Sequence, residues 1–400
     1  MARAAGELCQ ALAGLGHEVT VFTTSTAAAA SEDRRGAVRV RRFPGPRWPA
    51  ERLVPFARGI EKAIAAEAGA FDIAHLHGHR SGIVRQAAGA LRRSGVEWVL
   101  QPHGTFPHHG QRRWAKAVWD ASGGMDAVTR ARTLLALSDA EARDLPAPAV
   151  VVGSGVMLPG LEPTGRAAAG AAGRRPLGGV GGSEAPWLIA DVPPHLDKKA
   201  AATAGATATP TPTAAGTSPR LLFVGSDAPQ KRGRALVDLL RALPEADLDL
   251  VGPMGPRFVD GFGALAGRVT LHGVLEDDAL VAVLKAADLL LHPAVGEAFG
   301  MVPFEASLAG TGAVVAGGHG CGEWFARAGG CVVPPDDPPS LLREVRRRIA
   351  DPALRCAEAA AVASFAGREL TWPQVATRVN AVYETVARGR RAAPRTARAG

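Results

Sequence analysis

The chain predicts an α/β protein of two Rossmann-like domains facing a central cleft. Two observations carry that expectation. Short apolar strands alternate with amphipathic helices in two blocks, one running to about Val152 and one starting afresh at Arg220. Between them, residues 159–219 are rich in Ala, Gly, Thr and Pro, as in Ala206-Thr207-Ala208-Thr209-Pro210. Such a stretch buries too little apolar area to offset its ordering entropy and reads as a linker. Alternating β and α units with apolar strands imply parallel sheets covered on both faces.

The first block opens on a helix. Ala5, Leu8, Cys9 and Leu12 recur at i, i+3, i+4 and i+7, and Gly16 supplies the stop. Val19-Thr20-Val21-Phe22 and Val38-Arg39-Val40 read as strands, followed by a helix carrying Phe56, Ile60 and Ile64. Phe71 to Leu76, Trp98-Val99-Leu100, Leu134 to Leu137 and Val150-Val151-Val152 read as further strands. Inside the linker, the apolar patch Trp187 to Val192 reads as a segment that docks locally.

The second block begins with Arg220-Leu221-Leu222-Phe223-Val224 and a helix over about Gly233 to Leu243. Strands are expected at Leu248 to Val251, Val269 to Leu271, Leu289 to Leu291, Ala313 to Val315 and Cys331 to Val333. Helices are expected after Asp277-Asp278 and from about Met301. Val375, Val379, Val382 and Val386 form a last helical stripe, with Thr371 before Trp372-Pro373 as its N-cap. The expected divisions are 1–158, the linker 159–219, 220–369, a C-terminal helix 370–387 and a basic tail 388–400.

Composition narrows the function classes. Of 400 residues, 47% are hydrophobic and 21% charged, so a sizeable core is available. Four cysteines with no C-x-x-C pair fit a reducing compartment. No apolar run reaches the roughly 18 to 20 residues of a spanning helix, so a cytoplasmic protein is expected, at most peripheral to the inner face of the plasma membrane. The net charge of +8 favours anionic partners, but aromatics are only 5% and no base-stacking motif occurs, so nucleic acid is not an expected partner.

The chemistry concentrates in Glu297-Ala298-Phe299-Gly300-Met301-Val302-Pro303-Phe304-Glu305. Two carboxylates lie eight residues apart across a strand-to-helix turn. Gly300 lets backbone approach a ligand closely. The amides of Met301 and Val302 leave a helix N-terminus, where phosphate is favoured, and Pro303 costs no helical hydrogen bond there. Carboxylates beside a phosphate site suit hydroxyl ligands, and a nucleotide sugar carries both hydroxyls and a diphosphate.

At this segment the chain resembles the family 4 glycosyltransferases, whose mark is E-x7-E, matched by Glu297 and Glu305. Phe223-Val224-Gly225 through Lys231, Gly252-Pro253, Gly322-Glu323 and Val332-Val333-Pro334-Pro335-Asp336 are similar to further motifs of that family. So are Gly16-His17-Glu18-Val19-Thr20-Val21, His75-Leu76-His77-Gly78 and Pro102-His103-Gly104 in the first block. The resemblance implies the GT-B fold and retaining transfer of a sugar, without metal or other cofactor, from a UDP- or GDP-sugar. The acceptor would be a glycan, a lipid-linked or a small molecule, in cell-envelope or polysaccharide biosynthesis. It implies that Glu297 holds the donor sugar's hydroxyls and Glu305 the ribose hydroxyls. Lys231, with the amides of Met301 and Val302, would neutralise the leaving diphosphate, and His103 would lie beside the sugar. Gly225 and Gly300 would belong to the donor site.

The chain differs from the family at three places. Ser226 stands where an Arg is usual, with Arg232 or Arg234 as substitutes; Gly312 replaces a usual Pro; and the sequence opens at the helix that follows the family's first strand and Gly-rich loop, so that either the true start lies upstream or that strand is missing. These differences motivate an alternative, a catalytically impaired homologue acting as a partner or scaffold in glycan assembly. A second alternative is a basic protein that binds anionic surfaces. His75, His77 and His79 alternate at metal-ligand spacing, though a strand-end loop explains them better. In Arg112 to Trp119, bases and aromatics mix at helical spacing, and the expectation is a helix that buries Trp114 and Val118 rather than one resting on a membrane.

Overall fold

The computed structural model describes residues 2–25, 29–45, 56–106, 113–156, 186–190 and 218–392. Most of the linker, and the end of the basic tail, lie outside these residues.

The first domain is built from α1 (Ala2–Gly14), β1 (Glu18–Ser25), β2 (Ser31–Arg35), β3 (Val38–Pro44), α2 (Ile60–Glu67), β4 (Ala74–His77) and α3 (Gly82–Arg93). It continues with β5 (Trp98–Gln101), α4 (Arg113–Trp119), α5 (Asp126–Thr129), β6 (Thr133–Ala136), α6 (Asp139–Asp144), β7 (Ala149–Val151) and β8 (Pro186–Ala190). Its sheet runs β2-β3-β1-β8-β4-β5-β6-β7. β4 and β5 are buried along their whole length, as expected of strands covered on both faces.

Three expectations need correction here. The sheet is not wholly parallel, because β2 pairs antiparallel with β3 at the edge. Ser31-Glu32-Asp33-Arg34-Arg35 has no apolar residue and is exposed throughout, so hydrophobic patterning could not reveal it. Cross-strand ion pairs, Arg39 to Glu32 at 2.7 Å and Arg42 to Asp33 at 2.6 Å, run along it instead. Phe56 lies before α2 and is 47% exposed, while Ile60 and Ile64 are buried as the stripe requires. The third correction concerns the strand expected to be missing. The place between β1 and β4 is filled by β8, from within the linker. It pairs parallel with both neighbours, Val19 opposite Trp187 on one side and His77 opposite Ala190 on the other. Without it, two inner strands would each bury a row of unpaired backbone groups.

The second domain comprises β9 (Arg220–Val224), α7 (Arg234–Ala242), β10 (Asp247–Val251), α8 (Pro256–Asp260), β11 (Val269–Gly273), α9 (Asp277–Ala286) and β12 (Leu289–His292). α10 (Val302–Leu308), β13 (Gly312–Ala316), α11 (Gly320–Arg327), β14 (Cys331–Val333), α12 (Pro338–Ala350) and α13 (Pro352–Glu369) follow. The sheet is parallel throughout, in the order β11-β10-β9-β12-β13-β14.

The last helix, α14 (Trp372–Ala392), leaves the second domain and packs in the core of the first. Trp372, Val375, Val379, Val382, Tyr383 and Val386 are buried with Ala5, Leu8 and Leu12 of α1. The Gln374 amide donates to Thr371 Oγ1 at 3.4 Å, and the Trp372 indole fills the space a side chain at Gly155 would need. Arg378 donates to the Val152 carbonyl at 2.8 Å.

α4 departs from expectation. Trp114 is 75% exposed and Val118 60% exposed, so this helix shows its apolar face to solvent. Helical spacing says which residues share a face but not whether anything covers it.

Candidate active site

Parallel strands bring their following loops to one edge, and the site is assembled there. After β9 a short turn, Pro229–Lys231, carries Lys231. After β12 the chain passes Glu297 and enters α10 at Val302. The two loops are tied by the Val295 amide, which donates to the Gln230 carbonyl at 2.8 Å. Lys231 Nζ and Glu297 Oε1 form an ion pair between these loops. Burial pushes the Glu297 carboxyl up, but the Lys231 ammonium beside it outweighs that and holds it below its ordinary value. Glu297 is therefore charged at neutral pH, with one close counter-charge.

The backbone around this pair is held tightly. Gly300 has φ 73°, and a Cβ there would lie 2.7 Å from Cys321 Sγ, so only glycine fits. The Gly320 amide, opening α11, donates to the Glu297 carbonyl at 3.0 Å. Glu305 sits in the first turn of α10 and is 5% exposed. Burial pushes its carboxyl up to about 7; the Arg3 charge opposes this and Asp277 adds to it.

From the first domain, β5 leads through Pro102 to His103, which takes the left-handed backbone conformation (φ 56°), as does Gly104 after it. A Cβ at Gly104 would meet the Ala298 Cβ at 2.6 Å, so glycine lets the His103 loop rest against the Glu297 loop across the cleft. The buried Glu141 carboxylate holds this loop by accepting from the Gly104 and Leu137 amides, the latter at 2.7 Å. His103 Nε2 lies 2.7 Å from His77 Nδ1.

Further contacts fix the two domains around the cleft. The Trp324 indole donates to the Leu137 carbonyl at 2.7 Å, and the Ala140 amide donates to Glu323 at 2.8 Å. Glu323 also pairs with Arg143, Arg327 with Asp139, and Arg3 with Asp277.

Lys231, Glu297 and Gly300 thus share one corner of the cleft, and the loop that carries His103 rests against the Glu297 loop from the other side. At Gly225 a Cβ would lie 3.1 Å from the Phe223 ring and 3.8 Å from Lys231 Cδ, so its lack of a side chain leaves room for the lysine. Met301 and Val302 open α10 beside Gly300. Arg232 does not join the group: it pairs with Asp336 and lines a neighbouring cavity of about 1320 Å³ that Lys231 and Glu297 do not line. Arg234 lines the same cavity. The acid of Gly322-Glu323 bridges the domains.

Sequence reasoning missed Glu141, although Ser138-Asp139-Ala140-Glu141 reads as a capping box. Ser138 does cap α6, accepting from the Glu141 amide at 3.1 Å, and the Glu141 carboxylate is then free to reach the His103 loop. His75, His77 and His79 are spent on Tyr383, His103 and Thr105, at 2.7, 2.7 and 3.0 Å. Among the described residues no group of three or more His, Cys, Asp or Glu is placed to hold a metal.

Comparison with known proteins gives this arrangement a family. Residues 1–157 match the family model of the glycosyl transferase 4-like domain, and residues 218–351 that of the glycosyl transferases group 1. The chain belongs to the family 4 glycosyltransferases. Among curated members of this glycosyltransferase group it is similar to the 2-deoxystreptamine glucosyltransferase of Streptomyces kanamyceticus, 32% identical over 42% of this chain and 46% of that protein. It is also similar to the phosphatidyl-myo-inositol mannosyltransferase of Mycobacterium tuberculosis, 33% identical over 42% of this chain and 47% of that protein. The aligned region thus spans about half the length of these relatives. Among solved structures, Anabaena Alr3699/HepE in complex with UDP superimposes with a TM-score of 0.60 at 15% identity, covering 92% of this chain and 100% of that one. The likeness establishes the GT-B fold for this chain.

Proposed function

We propose that the chain is a retaining glycosyltransferase that moves a sugar from a UDP- or GDP-sugar donor to an acceptor hydroxyl. The carrying observation is the Lys231–Glu297 pair, which has the His103 loop against it from the other domain. In this reading the bond from the anomeric carbon to the phosphate oxygen breaks, and Lys231 stabilises the charge that collects on the departing diphosphate. Glu297 turns toward the sugar hydroxyls, His103 contacts the sugar, and the acceptor's proton passes to the departing phosphate as the new bond forms on the same face. Because Lys231 supplies the positive charge, the reaction runs without metal or other cofactor. A thermal-shift screen of UDP- and GDP-sugars, with and without EDTA, tests the reading. One base class should raise the melting temperature by mass action, unaffected by EDTA. Stabilisation by neither would favour the impaired homologue that serves as a partner in glycan assembly.

Glu305 makes the donor site pH-dependent. Its folded value of about 7 lies above the ordinary 4.5. Its stabilising contribution is complete below about pH 4.5 and is lost as pH rises through 7, on the order of 3 kcal/mol. If ribose hydroxyls donate to its carboxylate, nucleoside diphosphate binding ionises it. Calorimetry at pH 6.5 in buffers of different ionisation enthalpy should then show proton release, absent in Glu305→Gln. The same variant should flatten the fall in apo stability between pH 5 and 8.

The exposed face of α4 supports a lipid-linked acceptor. Trp114 and Val118 stand open to solvent with Lys116 on the same short helix. An apolar face with basic residues beside it suits the headgroup region of an anionic membrane. Sedimentation with phosphatidylglycerol vesicles should bring the protein down at low salt. Trp114→Ser should weaken this severalfold, and unchanged sedimentation would leave a small soluble acceptor. Among the described residues no helix is long and apolar enough to cross a membrane.

A further inference from the structure

A column of four rings runs from α14 into the site. The Tyr383 hydroxyl lies 2.7 Å from His75 Nδ1. The His75 ring stacks on His77, with centroids 4.0 Å apart and planes 23° apart. His103 follows, its ring centroid 5.0 Å from that of His77 and its Nε2 2.7 Å from His77 Nδ1. His75 and His77 are fully buried at the end of β4.

Burial drives all three imidazoles to the neutral form, His77 down to about 3 and the other two well below the usual range. Each ring therefore carries one N–H, and its contacts decide which nitrogen holds it. Nε2 of His75 and Nε2 of His77 are buried with no hydrogen-bond partner among the described residues. A stranded N–H costs more than a stranded lone pair, so the protons of both rings belong on Nδ1, where partners exist. His75 Nδ1–H then donates to Tyr383, and His77 Nδ1–H donates to His103 Nε2. That leaves the His103 proton on Nδ1.

We propose that Tyr383, His75 and His77 are positioning residues that fix the orientation and tautomer of His103, so that docking of the C-terminal helix α14 is coupled to the reacting centre. The proposal rests on His103 acting on the sugar side of the donor. It gives a use to a buried polar column that packing alone does not require, since apolar residues would fill the same space. The left-handed backbone of His103 adds to the need: a ring on a strained turn wanders unless its contacts hold it.

The test uses the whole chain with ¹⁵N-labelled histidine. Long-range ¹H–¹⁵N imidazole spectra, assigned by difference from His103→Gln, should show His103 as a single tautomer with Nδ1 protonated and Nε2 bare. Tyr383→Phe keeps the ring and removes the hydroxyl, and should shift or mix that tautomer. In parallel, hydrolysis of UDP-glucose and GDP-mannose is followed. Tyr383→Phe should lower kcat roughly fivefold with KM unchanged. His77→Leu should lower kcat roughly a hundredfold, and His77→Asn should recover most of it because its side-chain amide can donate from near the Nδ1 position. Equal impairment of His77→Asn and His77→Leu, or a His103 spectrum untouched by Tyr383→Phe and His77→Leu, would overturn the proposal. If wild type cleaves neither donor, the spectra alone decide it and the enzyme reading is what has failed.

Discussion

Truncation before Thr371 should unfold the first domain, although it removes residues that follow the second. The cut takes away Trp372, Val375, Ala376, Val379, Val382, Tyr383 and Val386, all buried among α1 residues of the first domain. At about 1.5 to 3 kcal/mol for each large side chain, the loss reaches on the order of 10 kcal/mol. That is comparable to the whole stability of an ordinary domain. It also strips the apolar face of α1 and strands the Val152 carbonyl, the acceptor for Arg378. Hydrogen exchange at the amides of β4 and β5 measures this directly. Those amides should lose their protection in the truncated chain, whereas β9 and β12 keep much of theirs. Unchanged protection in β4 and β5 would contradict the assignment of α14 to the first domain's core.

The second large effect is chemical. Glu297→Gln keeps the side-chain shape but loses the charged acceptor. Charge-assisted hydrogen bonds contribute roughly 1.5 to 3 kcal/mol each, so transfer should fall about ten- to a hundredfold or more. Lys231→Ala should cost at least as much, for two reasons. The diphosphate loses its counter-charge when charge on it is greatest. Glu297 also loses the ammonium that holds its carboxyl down, so burial is left unopposed by its main partner. Nucleoside diphosphate affinity should fall less than turnover in Lys231→Ala and should be nearly unchanged in His103→Ala. Titration with UDP and GDP beside a turnover assay separates the two sides of the donor. Equal losses of affinity and turnover in all three variants would contradict the roles given to them.

How far the sequence could be read depended on what each feature rests on. Leu289 to Leu291 and Ala313 to Val315 are buried along their length in the second sheet, and an unbroken apolar run is what such a place demands. Ser31 to Arg35 is a strand because β3 and its arginines make it one, which is a property of the pair. The patch around Trp187 to Ala190 was visible as apolar, but its partners, β1 and β4, lie far away in the chain, and only the assembled sheet shows the place it fills. Trp114 and Val118 show the limit of periodicity, because an amphipathic helix has the same spacing whether its face is covered or bare.

At the site, Glu297, Lys231 and His103 were legible because each sits in a short motif at a strand end. The pairing of Arg232 with Asp336 was not, since it depends on which way two adjacent loops turn. Glu141 binds the His103 loop from α6 and Tyr383 reaches His75 from α14, and no local spacing in the sequence announces either contact.

In the proposed function the Lys231–Glu297 pair holds and activates a nucleotide sugar. Release of nucleoside diphosphate from UDP-glucose and GDP-mannose, followed for wild type and Glu297→Gln at equal folded concentration, tests it most directly. Wild type should release nucleoside diphosphate from one of these donors, and Glu297→Gln should lose about ten- to a hundredfold or more of that release. Release that is equal in the two proteins would contradict it, as would the absence of both release and binding in a folded wild type.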